Sequence, residues 1–107
     1  MMDINAHQKW LTEFYASRGW LALSSSRRLN FLMEEVGELS QGVRAYEIGR
    51  DHPGELEKTV AEKKDNVVEE LADVMDAILI LCDKFDIAPE ELFKKSEDKL
   101  NARYDQQ

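Results

Sequence analysis

At 107 residues the chain has the length of one small domain with room for four or five helices. Hydrophobic residues make up 43%, too many for a disordered chain, and only two prolines and five glycines interrupt a helix-favouring composition. A balance of 14 Lys plus Arg against 22 Asp plus Glu leaves a net charge of −8, which argues against nucleic-acid polymers and anionic membranes as partners. Small phosphorylated ligands accompanied by metal ions remain compatible with that charge.

In chain order, apolar residues at Ile4, Trp10 or Leu11, Phe14 and Tyr15 predict a first helix from about Ile4 to Trp20, stopped near Gly19. Trp10 and Phe14 are expected in the core. Trp20 to Leu23 is a short apolar connector, and the serines at 24 to 26 offer an N-cap. A second helix follows from about Ser26 to Ile48, with Leu29, Leu32, Val36, Leu39, Val43 and Tyr46 forming one stripe expected to be buried. Gly49 and the run Asp51-His52-Pro53-Gly54 stop it. The polar segment from Glu55 to Asn66 fits either a helical extension or a loop. From Val67 to Phe85 a second stripe runs through Leu71, Val74, Ile78 and Leu81, with Met75 and Cys82 placed on it. Pro89 suits a first helical position, followed by Glu90 and Glu91 at the positive end of a last helix reaching about Arg103. Arg27 and Arg28 are expected to face solvent.

The expected architecture is therefore all-α, a single domain over residues 1–107 whose central helical hairpin is flanked by further helices. One hairpin cannot bury two apolar faces, so a four-helix bundle completed by a second copy, as homodimer or homotetramer, is expected. One cysteine, Cys82, precludes an internal disulfide. No charged-then-apolar leader opens the chain, and its longest apolar run, Ala77 to Cys82, is too short to span a membrane. A cytoplasmic location is expected.

The feature that points to chemistry is a repeated acidic pattern, Glu34-Glu35-Val36-Gly37-Glu38-Leu39 and Glu69-Glu70-Leu71-Ala72-Asp73-Val74. With Val36 and Leu71 as zero, Glu35 and Glu70 fall roughly 100° round the helix, and Glu38 and Asp73 roughly 160°, on the same side. Their flanks carry Phe31, Gly42 and Ala45 on one helix and Ala77 and Ile80 on the other. The two motifs are centred on Gly54, so an antiparallel hairpin turning there sets them side by side. Carboxylates gathered beside an apolar core repel one another unless a hard divalent cation intervenes, and oxygen-only ligands suit Mg²⁺, with Mn²⁺ as a substitute. The histidines, His7 and His52, lie outside both motifs, unlike the Glu-x-x-His pairs of redox dimetal bundles. A solvated acidic face is the competing reading for either motif alone; their shared register favours a metal site.

Glu34-Glu35-x-x-Glu38 followed by Glu70-x-x-Asp73, with Arg18-Gly19-Trp20 upstream, resembles the MazG-like all-α nucleoside triphosphate pyrophosphohydrolases, especially short single-domain members such as the dCTP pyrophosphatases. The resemblance covers roughly Trp10 to Tyr104, with a long stretch between Glu38 and Glu70 as its departure. It implies Glu35, Glu38, Glu70 and Asp73 as magnesium ligands, with Glu34, read as facing away from the pair, orienting the water. It implies Lys99 and Arg103, one turn apart, as phosphate ligands, against the alternative of plain surface charge. Trp20 and Tyr46 are candidates to stack on the base, with core packing as their competing role. The implied reaction is Mg²⁺-dependent hydrolysis of a (deoxy)nucleoside triphosphate to monophosphate and pyrophosphate, with more than one ion per loaded site. A house-cleaning role towards dCTP-like or non-standard nucleotides fits. A dUTPase, a phosphoribosyl-ATP pyrophosphatase or a non-enzymatic helical interaction module are the alternatives.

Overall fold

The computed structural model describes residues 2–49, 53–54 and 56–104. Among them the chain forms α1 (Ile4–Ser17), a 3-10 turn (Trp20–Ala22), α2 (Ser25–Ile48), α3 (Val60–Lys84) and α4 (Pro89–Tyr104), with no strand. The all-α expectation holds. Asp51 and His52 of the expected turn lie outside the described residues.

Each helix starts where a side chain satisfies an otherwise orphaned backbone N–H. The Asp3 carboxylate accepts from the Ala6 N–H at 2.8 Å, and the Ser24 hydroxyl accepts from the Arg27 N–H at 3.2 Å. The polar segment before Asn66 is divided by a capping box: the Glu62 carboxylate accepts from the Thr59 N–H at 2.8 Å, and the Thr59 hydroxyl accepts from the Glu62 N–H at 3.1 Å. Helix α3 therefore begins at Val60, and only the residues before it are non-helical. Before α4, the Glu91 carboxylate accepts from the Ala88 N–H at 2.7 Å, with Pro89 buried at the first helical position.

The helix ends are equally local. Gly19 adopts φ 74°, so α1 stops at Ser17, short of the expected Trp20, which sits in the 3-10 turn. Helix α3 closes with Asp86 at φ 55° and the Ile87 N–H donating to the Cys82 carbonyl at 2.8 Å, a Schellman-type end with aspartate where glycine is usual.

The chain divides into two compact units, one formed by the N-terminal segment to Ala22 with the residues from Leu79 onward, the other by Leu23–Ile78; α3 passes through both. The first unit is cored by Leu11, Leu79 and Ile80, against which Ile4, Tyr15 and Leu21 pack. The Gln8 amide donates to the Leu79 carbonyl at 3.0 Å and the Lys84 ammonium to the Leu21 carbonyl at 2.7 Å, so polar side chains also pin this unit together. Trp10, expected in the core, is 56% exposed. It stacks between His7 and Phe14 at centroid distances of 5.8 and 5.4 Å, forming an aromatic ladder along α1 with a half-buried Phe14.

In the second unit Leu32 and Leu39 of α2 and Val67 and Val74 of α3 face inward as expected, while the other stripe positions give way to the residue before each. The non-exposed positions of α2 are Ser25, Arg28, Leu32, Glu35, Leu39, Gly42 and Ala45, a continuous three-four ladder. Leu29, Val36, Val43 and Tyr46 of the expected stripe stand exposed beside it. On α3 within this unit, Val67, Glu70, Val74 and Ala77 face inward, while Leu71, Met75 and Ile78 are exposed. Arg28, expected in solvent, is buried, with its guanidinium over the Phe31 ring at 5.8 Å. The rotation has a steric reason. Gly42 is buried, and a Cβ there would come within 3.0 Å of the Asn66 Nδ2 and 3.6 Å of the Glu70 Cγ, so α2 and α3 approach closely at this glycine. That approach turns Glu35 and Glu70 inward and leaves the larger aliphatic side chains outside.

Candidate functional site

The hairpin register expected from the repeat is the register found. Gly42 and Asn66 are equidistant from Gly54 in sequence, and they meet. Glu35 also lies within electrostatic reach of Asp73 and Glu70, as Glu70 does of Glu38. Low numbers on α2 therefore meet high numbers on α3, and the two helices are antiparallel. The four carboxylates proposed from spacing all belong to the second unit and act on one another electrostatically.

Their surroundings make ionisation costly. Burial raises the pKa of Glu35 above its ordinary value, and the charges of Glu38, Asp73 and Glu70 raise it further, as does a hydrogen bond between the Glu35 and Glu38 side chains. Glu70 is raised for the same reasons, burial first, then Glu38, Asp73 and Glu69. The buried Oε2 of Glu35 has no hydrogen-bond partner. A buried carboxylate oxygen without a donor is a site looking for a cation or a proton. Among the described residues, no group of three or more His, Cys, Asp or Glu side chains is gathered tightly enough to hold one ion. Mutual repulsion favours such separated placements.

The remaining acids need one revision. Glu34 is exposed and stands four residues before Glu38, so the two share a face of α2, and Glu34 does not point to the opposite side. Glu69, the residue before Glu70, adds the smallest share to the rise in the Glu70 pKa.

Beside the carboxylates opens a cleft of about 410 Å³, with Glu38, Glu70, Gly42, Asn66, Arg44 and Lys58 in its lining. Its two cations were not singled out by the sequence. Neither belongs to the acidic motifs, and the hairpin register brings both to the cleft that Glu38 and Glu70 line.

The other expected site residues divide between the units. Tyr46, in the second unit, is 43% exposed. Trp20, in the first, is half exposed and meets Phe14 and Tyr15 edge-on, with the Arg18 guanidinium 5.9 Å from its ring. Lys99 and Arg103 are exposed on α4, in the first unit. Cys82 is a buried free thiol whose pKa burial pushes up, as inert core packing requires. No helix among the described residues is long and apolar enough to cross a membrane.

This geometry agrees with what the chain resembles. The family model for the MazG nucleotide pyrophosphohydrolase domain matches residues 23–107, which takes in both acidic motifs, both cleft cations and α4. A Bacillus subtilis (strain 168) protein named "Uncharacterized protein YvdC" is 44% identical over 104 residues, covering 97% of this chain and 98% of that one. No solved structure matches the chain. With the family match spanning most of its length, the chain belongs to the MazG nucleotide pyrophosphohydrolase family.

Proposed function

We propose that the protein is a Mg²⁺-dependent hydrolase that converts nucleoside triphosphates to monophosphates and pyrophosphate, acting as a single functional domain. The observation that carries this reading is the orphaned, buried Glu35 Oε2 beside Glu38, Glu70 and Asp73. Oxygen-only donors of this kind fit a hard divalent cation, and Mg²⁺ or Mn²⁺ suits them better than zinc. Glu35, Glu38, Glu70 and Asp73 would hold the ions. Ions held by these residues would supply Lewis-acid chemistry, offsetting phosphate charge and making a water a better nucleophile towards the α-phosphorus.

The protein's own contribution is placement. The i, i+3 pairs on α2 and α3 present two carboxylates each to a shared centre, and the glycine approach at Gly42 sets the spacing between the pairs. Glu34, exposed and one turn from Glu38, is suited to orient the attacking water. Four carboxylates and a triphosphate of about −4 total about −8, so more than one ion serves the loaded site. Lys99 and Arg103 serve the substrate phosphates, and the half-exposed rings of Trp20 and Tyr46 are the candidates to stack on a base. The exposed aliphatic edge of α2 and α3 favours a homodimer or homotetramer in which a second copy covers it. Substrates of the dCTP-like or non-standard class, a house-cleaning role and a cytoplasmic setting complete the proposal.

Turnover of a panel of standard and damaged (d)NTPs with Mg²⁺, read as pyrophosphate release, tests it. Hydrolysis of at least one triphosphate to monophosphate is the expected result. No turnover across the panel, together with no change of melting temperature on adding Mg²⁺, would leave the helical interaction module as the better reading.

A further inference from the structure

The cleft beside the carboxylates is graded in charge. Glu38 and Glu70 line it at one level of the hairpin, while Arg44, further along α2, and Lys58, ahead of α3, are exposed and line it towards the turn, with Asn66 also in the lining. The cleft volume of about 410 Å³ falls within the range of about 300–1,000 Å³ typical of small-ligand sites. A nucleoside triphosphate is itself graded, with one phosphate next to the nucleoside and two beyond it. Ions held by the carboxylates can neutralise only the phosphates they touch. In a chain of net charge −8, the phosphates beyond that reach need fixed cations at the place where they arrive.

We infer that Arg44 and Lys58 are substrate-binding residues that receive the terminal diphosphate, the portion released as pyrophosphate. The assignment rests on the pyrophosphohydrolase reading of the carboxylates. Arg44 supplies a planar fork suited to two phosphate oxygens, and Lys58 a compact charge at the entry to α3. Arg44 lies on α2 and Lys58 just ahead of α3, so the two cations reach the cleft from the two arms of the hairpin. In Lys99 and Arg103 the chain has a second basic pair, on α4, so the two pairs give separable predictions.

The test uses Arg44→Gln, Lys58→Gln, the double variant and Lys58→Arg. Calorimetric binding of inorganic tripolyphosphate with Mg²⁺ is measured beside KM, kcat and inhibition by nucleoside monophosphate. Loss of one charge-assisted contact weakens tripolyphosphate binding by about tenfold, and the double variant loses more. KM for triphosphate rises in step, kcat stays within about threefold, Lys58→Arg retains binding, and monophosphate inhibition is unchanged. A merely charge-balancing role for the two cations would not separate tripolyphosphate from monophosphate. Tripolyphosphate affinity in the double variant within twofold of the parent protein overturns the inference, as does equal weakening for monophosphate. If the parent protein turns over no nucleotide but loses tripolyphosphate binding in the double variant, the reaction fails and the anion site stands.

Discussion

Glu35 concentrates the tension on which the proposed chemistry depends. Its carboxylate is partly buried, one oxygen lacks a partner, and three other acids press on it. Both Glu35 and Glu70 have pKa values raised above 4.5, so the folded chain binds more protons than the unfolded one just above that value. Stability contributed by these groups is therefore greatest in mild acid and is lost as pH rises through their folded-state pKa values. In a chelator, the melting temperature falls as pH is raised from about 5 towards 8. Adding Mg²⁺ near neutral pH reverses that fall, since a ligand at about 100 times its Kd contributes about 2.7 kcal/mol. Differential scanning fluorimetry across pH, with and without the ion, checks both signs. Glu35→Gln separates stability from function. It removes one repelling charge, so it raises the melting temperature in chelator, yet it lowers turnover by orders of magnitude because a metal ligand is gone. A variant that loses stability in chelator contradicts the account of Glu35 as a strained ligand.

At the scale of the helices, local capping decides the boundaries. Thr59→Ala removes one half of the Thr59–Glu62 box and costs about 1 kcal/mol, or roughly 4–8 °C in melting temperature for a domain of this size. Glu62 holds its carboxyl below the ordinary value through the Thr59 backbone N–H, so the same substitution frays the start of α3 without touching the carboxylate cluster. Much of this was legible beforehand. Ser24, Gly49 and Pro89 mark their helix ends as the sequence suggests, and the centring of the acidic repeat on Gly54 foretells the hairpin register. The start of α3 is not set by periodicity because only Leu56 and Val60 are large and apolar between Gly54 and Val67, so capping speaks where spacing is silent. The buried face was misread by one residue over part of each stripe for a different reason. Hydrophobic spacing identifies the largest apolar edge, with Val36, Val43 and Leu71, but the helices meet along the line where Gly42 permits close approach. Arg44 and Lys58 escaped notice because neither belongs to a spaced motif.

For the whole molecule, the consequence of that one-residue rotation is an uncovered apolar edge. Leu29, Val36, Val43, Leu71, Met75 and Ile78 are all exposed in the single chain, and exposed apolar surface of this kind marks interaction sites when it is contiguous. Sedimentation is expected to report a dimer or tetramer, and Val36→Asp with Leu71→Asp to shift it towards smaller species. A parent protein that sediments as a stable, fully active monomer would remove the second copy from the account. The central claim is narrower, that Glu38 and Asp73, one from each i, i+3 pair, act as metal ligands in pyrophosphate-releasing hydrolysis. The most direct measurement is product analysis with Mg²⁺ for the parent protein, Glu38→Gln and Asp73→Asn. The account predicts monophosphate and pyrophosphate as first products and a loss of orders of magnitude in both variants; orthophosphate released first, or undiminished turnover in either variant, would contradict it.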